Sequence, residues 1–186
     1  MEHIGEDLLL SLNLQLLQSD VNEMLDGGKD LKEILNEILK WIGYESKNDI
    51  YTSILLYNKG TGQLFTGAAP SIPDRYNNLI SGMKTGPVAG SCGTAAFFGK
   101  QVIVQDIATD PLWENYKSLA LREGLRSCWS TPIFGTNKEL LGTFAIYYKE
   151  PRKPTQHDLQ LIDDIVELTA FAIESREEDF EKIVGL

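Results

Sequence analysis

The chain has 186 residues, of which 42% are hydrophobic, enough to bury one sizeable core without a second domain. Its formal charge of −10 and its scattered basic residues argue against binding to a phosphate backbone, so we expect no nucleic-acid partner. The apolar runs are too short and too polar to span a bilayer, and two cysteines are too few for a disulfide framework, so we expect a cytoplasmic protein with reduced thiols that does not bind a membrane.

Two helices are predicted for the first fifty residues. They are separated by residues 26–30, whose glycines end one helix and whose Asp30 caps the next. The first helix carries a heptad-like apolar stripe, which fits a contact with a partner helix about as well as a contact inside this chain. The stripe consists of Leu10, Leu14, Leu17, Val21 and Met24.

After residue 50, the spacing of the hydrophobic residues changes from that of a helix to that of β-strands. Residues 54–57 and 63–67 predict a hairpin, and residues 73–80 predict a short helix. We expect residues 82–93 to form a loop, because that much glycine opposes both helix and strand.

A third strand is predicted at residues 101–106, and Asp110 followed by Pro111 predicts a helix that runs to about residue 124. A second hairpin follows at 126–134 and 140–149. Thr155 then begins the last helix, with Asp158 three residues on in a capping-box arrangement. Two apolar stripes on this helix predict contacts with the sheet on one side and with another helix, of this chain or a second subunit, on the other.

These elements predict an α+β fold with an antiparallel sheet of five or six strands. Terminal helices would cover one face, and short helices and loops the other. We divide the chain into an N-terminal helix for dimerisation or linkage (residues 1–28), the main domain with its C-terminal helix (29–180) and a tail (181–186).

Four segments then follow one another in a distinctive order: Gly-Pro-Val-Ala-Gly-Ser-Cys-Gly-Thr (86–94), Gln-Val-Ile-Val-Gln-Asp (101–106), Gly-Leu-Arg-Ser-Cys-Trp-Ser-Thr-Pro-Ile (124–133) and Leu-Gly-Thr-Phe-Ala-Ile-Tyr-Tyr (141–148). This order resembles the second half of a GAF domain, the small-molecule sensor module of bacterial signalling proteins, and the likeness covers roughly residues 30–180. The resemblance implies a GAF-like sheet with a ligand pocket, here covered by residues 70–93 and 111–124. It also implies an output domain or partner such as a sensor kinase or a cyclic-di-GMP enzyme.

Cys92 is the strongest candidate for a chemically reactive residue. It precedes a predicted short helix at 94–98, whose unpaired amides would stabilise a thiolate, although a small buried space-filling role is the commoner fate of a free cysteine. Cys128 lies on a later strand. A disulfide between the two would need their Cα atoms within about 7 Å.

Other side chains suit a ligand pocket. Asp106 can accept a hydrogen bond from a ligand or from turn amides, and the aromatic side chains can close over a planar ligand or fill the core. Ser130 and Thr131 alternate on a strand, so only one of them points into a cavity. The candidate ligand-binding residues are Ser91, Cys92, Thr94, Asp106, Trp113, Tyr116, Cys128, Trp129 and Thr131.

The first functional hypothesis is a non-catalytic sensor of an unidentified small molecule, which forms a homodimer through its terminal helices. No cofactor is identified: His3 and His157 suit neither a metal site, nor haem, nor a histidine-based triad, and the cysteine context does not resemble a bilin attachment site. A third hypothesis is a dimerisation module with a vestigial pocket.

The alternative from the enzyme class is thiol chemistry at Cys92, in a redox sensor or a methionine-sulfoxide-reductase-like enzyme. Residues 92–96, Cys-Gly-Thr-Ala-Ala, resemble a motif of free methionine-(R)-sulfoxide reductase, a GAF-derived enzyme. That enzyme carries a further cysteine after the third strand, whereas residues 109–122 here contain none. We therefore do not expect catalysis.

Overall fold

The computed structural model describes residues 2–45 and 50–186, with side chains for 11–44 and 50–186. The helices are α1 (Glu2–Asp26), α2 (Leu31–Glu45), α3 (Asp74–Ile80), α4 (Gly90–Phe98), α5 (Lys117–Arg122), α6 (Gln156–Glu174) and α7 (Glu177–Val184), and a 3₁₀ turn spans Pro111–Trp113. The strands are β1 (Tyr51–Asn58), β2 (Gln63–Ala68), β3 (Met83–Lys84), β4 (Val102–Val104), β5 (Ser127–Phe134) and β6 (Leu140–Tyr148).

The strands form a six-stranded antiparallel sheet in the order β3-β2-β1-β6-β5-β4, within the described residues. The predicted α+β class and both hairpins are confirmed. The central pair, β1 and β6, comes so close at Gly142 that a Cβ there would lie 2.1 Å from the Leu55 carbonyl oxygen. Only glycine fits at this position.

One face of the sheet, the helix face, is covered by α1, α2, α6 and α7. The predicted caps hold these helices in place: Asp30 accepts a hydrogen bond from the Glu33 amide at 2.8 Å, and Thr155 and Asp158 form the predicted capping box. Leu17 and Val21 of the α1 stripe are buried against the chain's own core, so this part of the stripe makes the internal contact. The side chain of Leu10 lies outside the described side chains, and the homodimer stays a prediction.

The two helical junctions of the helix face are joined by Arg176, between α6 and α7. Its guanidinium Nε donates to the Lys29 carbonyl at 2.9 Å and its Nη2 donates to the Leu25 carbonyl. Both carbonyls lie where α1 ends, and a cation is favourable there because a helix exposes unpaired carbonyls at its C-terminus.

The other face of the sheet, the cavity face, lies under α3, α4, the 3₁₀ turn and α5, which we call the cover. The predicted loop at residues 82–93 is wrong in two places, since residues 83–84 form β3 and α4 begins at Gly90 rather than at residue 94. Gly93 serves close packing, because a Cβ there would lie 2.6 Å from that of Ala89. The sequence argument took a packing glycine for a helix breaker.

The predicted helix at 111–124 is also shorter than expected. Asp110 caps its start as predicted, accepting from the Leu112 amide at 2.9 Å, but the first turn is 3₁₀ and α5 begins only at Lys117. The break places Trp113 and Tyr116 over the sheet on the two sides of the junction.

The end of the chain is not a free tail. Residues 181–184 belong to α7, Val184 is buried, and its carbonyl accepts a hydrogen bond from Asn58 Nδ2 at 2.7 Å. The other division, at residue 28, stays a prediction. None of the helices within the described ranges is long and apolar enough to cross a membrane.

Candidate ligand-binding site

A small cavity of about 20 Å³ lies between the cavity face and the cover. It is large enough for about one water molecule. The walls are mostly apolar. The side chains that bring polar atoms to it are those of Tyr76, Ser91, Cys92, Trp113, Tyr116 and Tyr147.

Ser91 ties the cover to the sheet. It lies in the first turn of α4, and its Oγ accepts a hydrogen bond from Trp113 Nε1 at 3.1 Å. The same hydroxyl donates to the carbonyl of Cys128 on β5, also at 3.1 Å. The 3₁₀ turn, α4 and β5 are therefore linked through one buried oxygen.

Cys92 follows Ser91 and points at the sheet, where its Sγ lies 3.7 Å from the Tyr147 hydroxyl. Hydrogen bonding from the Cys128 thiol is the largest effect on the pKa of Cys92, and hydroxyls of the sheet add to it against the opposing effect of burial. Together they lower this pKa from 9.0 to about 7. Cys92 therefore carries a substantial thiolate fraction at neutral pH.

The groups around Cys92 keep their protons. Burial, and then the hydrogen bond with Cys92, raise the pKa of Cys128 well above its ordinary value. Burial likewise raises the pKa of Tyr76 and of Tyr147, whose rings meet edge to face at 6.5 Å between centroids. The sulfur of Cys92, the most easily ionised of these groups, is thus surrounded by neutral hydrogen-bond donors.

Several hydroxyls on the cavity face have no hydrogen-bond partner among the residues that the structure describes. They include those of Ser53 on β1, Thr143 on β6 and Ser130 on β5, and these three residues are buried. Unpaired buried hydroxyls are unfavourable, because they lose water without gaining a partner. Buried polar groups that reduce stability in this way are typical of functional sites.

Four of the predicted residues line the cavity: Ser91, Cys92, Trp113 and Tyr116. Cys128 lies beside it, next to Cys92. Whether any of them binds a ligand stays a prediction.

Two predicted residues lie elsewhere on the cavity side. Thr94 accepts a hydrogen bond from the Ala89 amide at 3.1 Å and so holds the start of α4. Asp106 binds the Ala108 amide at 3.0 Å and the Arg126 guanidinium at 2.9 Å, and the hydrogen bonds from Arg126 are the main cause of its lowered pKa. Asp106 therefore has the turn-forming role that the sequence analysis weighed against ligand binding.

Trp129 and Thr131 point away from the cavity, to the helix face. Trp129 Nε1 donates to the Arg152 carbonyl at 3.1 Å, and Thr131 Oγ1 accepts from Gln101 at 2.8 Å. Strand alternation explains the outcome: Cys128 and Ser130 face the cavity, so their neighbours cannot. Of the pair weighed in the sequence analysis, Ser130 is the one that faces the cavity.

The sequence analysis missed Tyr147, Thr143, Ser53 and Tyr76. Both faces of β6 are buried, so its sequence shows no alternation between polar and apolar residues that would have marked one face. Tyr147 could have been found from strand pairing, because the predicted antiparallel hairpin of β5 and β6 places it opposite Cys128. No group of three or more potential metal-ligating side chains occurs in residues 2–45 and 50–186.

The family model described as GAF domain matches residues 28–174. The chain belongs to the GAF domain family. A curated relative, the methyl sulfide methyltransferase-associated sensor of Methanosarcina acetivorans, is 36% identical over 170 residues, which are 91% of this chain. The chain spans only 16% of that relative's length.

Solved structures agree on the GAF fold. The GAF domain of a phosphoenolpyruvate-protein phosphotransferase from Coxiella burnetii superposes with a TM-score of 0.68 at 14% identity, covering 90% of this chain and 96% of that one. Free methionine-R-sulfoxide reductase from Neisseria meningitidis, in complex with its substrate, gives a TM-score of 0.69 at 16% identity, covering 89% and 88%. Identities this low support the fold and not a shared activity.

Proposed function

We propose that this GAF domain is a non-catalytic sensor whose small-molecule ligand binds between the cavity face and the cover. The observation that carries the proposal is the size of the cavity, about 20 Å³, beneath a cover of short elements. Any ligand larger than a water molecule must displace the cover in order to enter. Ligand binding is then linked to a change of structure, as sensing requires.

The strands provide a route from the cavity to the terminal helices. On β5, Cys128 and Ser130 face the cavity, while Trp129 between them faces the helices. Trp129 contacts Arg152, which precedes α6, and α6 packs on β5. A ligand that shifts β5 would therefore move groups on both faces, and the terminal helices would pass the change to a second subunit or an output domain.

The comparisons support a sensor in general terms, since the curated relative is itself named a sensor. Because this chain corresponds to only 16% of that relative, nothing more specific than a sensor role is carried over from it. The absence of a cysteine from residues 109–122 supports a non-catalytic role over sulfoxide reduction.

The proposal is tested by native mass spectrometry of the protein as isolated, compared with its mass after denaturation. We expect an excess mass that disappears on denaturation. Leu55→Phe, which adds volume to the cavity wall, should abolish the excess mass, whereas Leu79→Phe, the same change at an exposed position, should retain it.

A bare mass for the wild-type protein, together with no thermal shift in a screen of metabolites and nucleotides, would overturn the ligand-sensing proposal.

A further inference from the structure

The two cysteines of the chain lie together although they are distant in sequence. Cys92 Sγ is 3.7 Å from the hydroxyl of Tyr147, and Tyr147 is paired with Cys128 across β5 and β6. The residue before Cys92, Ser91, is hydrogen-bonded to the Cys128 carbonyl. Both thiols are free and buried, on the inner side of the cover and on the sheet beneath it.

The sulfur of Cys92 is also surrounded by hydroxyl donors that are otherwise unpaired. Ser130 and Thr143 have no hydrogen-bond partner within the described part of the chain, and both hydroxyls are near enough to this sulfur to lower its pKa. A neutral thiol is a weak acceptor, whereas a thiolate is a strong one. These hydroxyls are therefore satisfied only when Cys92 is ionised.

We propose that Cys92 and Cys128 form a peroxide-sensitive dithiol, in which Cys92 is the nucleophile, Cys128 resolves the intermediate, and Ser130 and Thr143 position and stabilise the Cys92 thiolate. This modification site lies at the cavity of the proposed sensor but does not depend on the ligand-sensing function. It requires no bound metabolite, and only a small displacement of the cover admits hydrogen peroxide.

The oxidant is hydrogen peroxide, and the reaction has two steps. The Cys92 thiolate attacks one peroxide oxygen, the O–O bond breaks, and the leaving hydroxide takes up a proton from solvent to become water, which leaves a sulfenic acid on Cys92. The Cys128 sulfur then attacks the Cys92 sulfur, the S–O bond breaks, and the leaving hydroxide takes the Cys128 proton to become a second water. Two thiols have lost two electrons to form one disulfide, and one peroxide has been reduced to two waters.

The cavity limits which oxidants can react. It borders Cys92 and has room for about one water molecule, so hydrogen peroxide is among the few oxidants that approach this sulfur with little displacement of the cover. Oxidised glutathione is far larger and would need the cover to open. The site is therefore expected to select for peroxide over disulfide exchange.

The disulfide would join the first turn of α4 to β5 at the point where Ser91 already holds them. Oxidation would thus replace a hydrogen-bonded attachment of the cover by a covalent one.

The test is stoichiometric hydrogen peroxide added to the full chain, followed by denaturation, alkylation of free thiols and mass spectrometry. In the wild-type protein we expect both thiols to become unreactive, a loss of two hydrogens, and a cross-linked peptide that joins Cys92 to Cys128. Cys128→Ser should stop at a sulfenic acid on Cys92 that dimedone traps, and Cys92→Ser should not react. Oxidised glutathione at the same concentration should leave both thiols free.

A matched pair of variants tests the hydroxyls. Ser130 faces the cavity and Ser127 faces the helices on the same strand, and both are buried with unpaired hydroxyls. Ser130→Ala should slow oxidation at pH 7, because losing this hydroxyl raises the pKa of Cys92 and leaves less of the sulfur ionised. Ser127→Ala should not change the rate, and Thr143→Val provides a second cavity-face variant if Ser130→Ala does not fold.

Two results would overturn the proposal. One is a wild-type protein that keeps two reactive thiols, or forms only intermolecular disulfides, under peroxide that fully oxidises a control dithiol. The other is an equal decrease in the rate of Cys92 oxidation in Ser130→Ala and Ser127→Ala, which would show that the cavity-face hydroxyls do not stabilise the thiolate.

Discussion

The two faces of the sheet bury cores of different chemistry. The helix-face core is built mostly from leucine and isoleucine of α1, α2, α6 and the strands, whereas the cavity-face core includes both thiols of the chain and two phenols. Aliphatic packing stabilises a fold without burying polar atoms that need partners. Of the buried hydroxyls without a partner in the described residues, Ser127 faces the helices, whereas Ser53, Ser130 and Thr143 face the cavity beside the thiols. We infer that the helix face stabilises the domain while the cavity face is available for sensing.

The largest effect expected from this comparison is the loss of a helix-face side chain. Ile165 is fully buried in the helix-face core, and Ile165→Ala should lower the free energy of unfolding by about 2–5 kcal/mol, the cost of lost burial plus a cavity. Urea denaturation measures this loss. The pKa of Cys92 should be unchanged, and a clear change in it would contradict the division of roles between the faces.

Between pH 7 and pH 9, a pH dependence of stability should arise from the cavity face. The pKa of Cys92 is about 7 in the folded protein and 9.0 ordinarily, so its stabilising effect is fully present above pH 9 and is lost as the pH falls through 7. Stability should therefore rise between pH 7 and pH 9, by about 2–3 kcal/mol at about 1.4 kcal/mol per pKa unit. Above pH 9 the raised pKa of Cys128 acts in the opposite direction, because the unfolded thiol ionises first.

Urea denaturation across this pH range, with thiolate absorbance near 240 nm, measures the effect. Cys92→Ser should remove the rise. An equal rise in that variant would assign the pH dependence to other groups.

Two tryptophans allow the same substitution on opposite faces. Trp113→Phe removes the hydrogen bond to Ser91 and Trp129→Phe removes the one to the Arg152 carbonyl, so each should cost about 1 kcal/mol. Only Trp113→Phe should speed alkylation of Cys92 by iodoacetamide, because it loosens the cover. Equal labelling rates in the two variants would show that the Ser91 link does not hold the cover.

The smallest effect concerns the unpaired hydroxyls. Ser130→Ala and Ser127→Ala should each leave stability unchanged or raise it, by up to about 1 kcal/mol, because each removes a buried group without a partner. Thermal unfolding at pH 6, where Cys92 is protonated, measures this. A loss of 2 kcal/mol or more would mean that the hydroxyl has a partner in the folded protein.

The comparison of the two faces also explains what could be predicted from the sequence. The helix-face elements follow from local signals, such as the Asp30 cap, the Thr155 capping box and the apolar stripe of α6, because these signals act within one turn of a helix. The start of α4 could not be predicted, because Gly93 is selected by contact with Ala89 across the turn and not by its own backbone preference.

The candidate site was predicted only in part for a related reason. Four candidates could be recognised from short sequence motifs, and the structure places all of them at the cavity: Ser91, Cys92, Trp113 and Tyr116. Tyr147 joins them through the pairing of β6 with β5, which depends on register. Trp129 and Thr131 were named as ligand-binding candidates but face the helices, because adjacent strand residues alternate and the sequence of a strand buried on both faces does not show which residues face the cavity.

The Arg176 guanidinium has a mechanical consequence. One planar group from the junction of α6 and α7 bonds two carbonyls at the end of α1, in addition to the direct packing of α1 on α6 and of both helices on α2. A displacement of the α6–α7 junction would strain both bonds. The N-terminal and C-terminal helices therefore share a polar contact, although more than a hundred residues separate Leu25 from Arg176 in sequence.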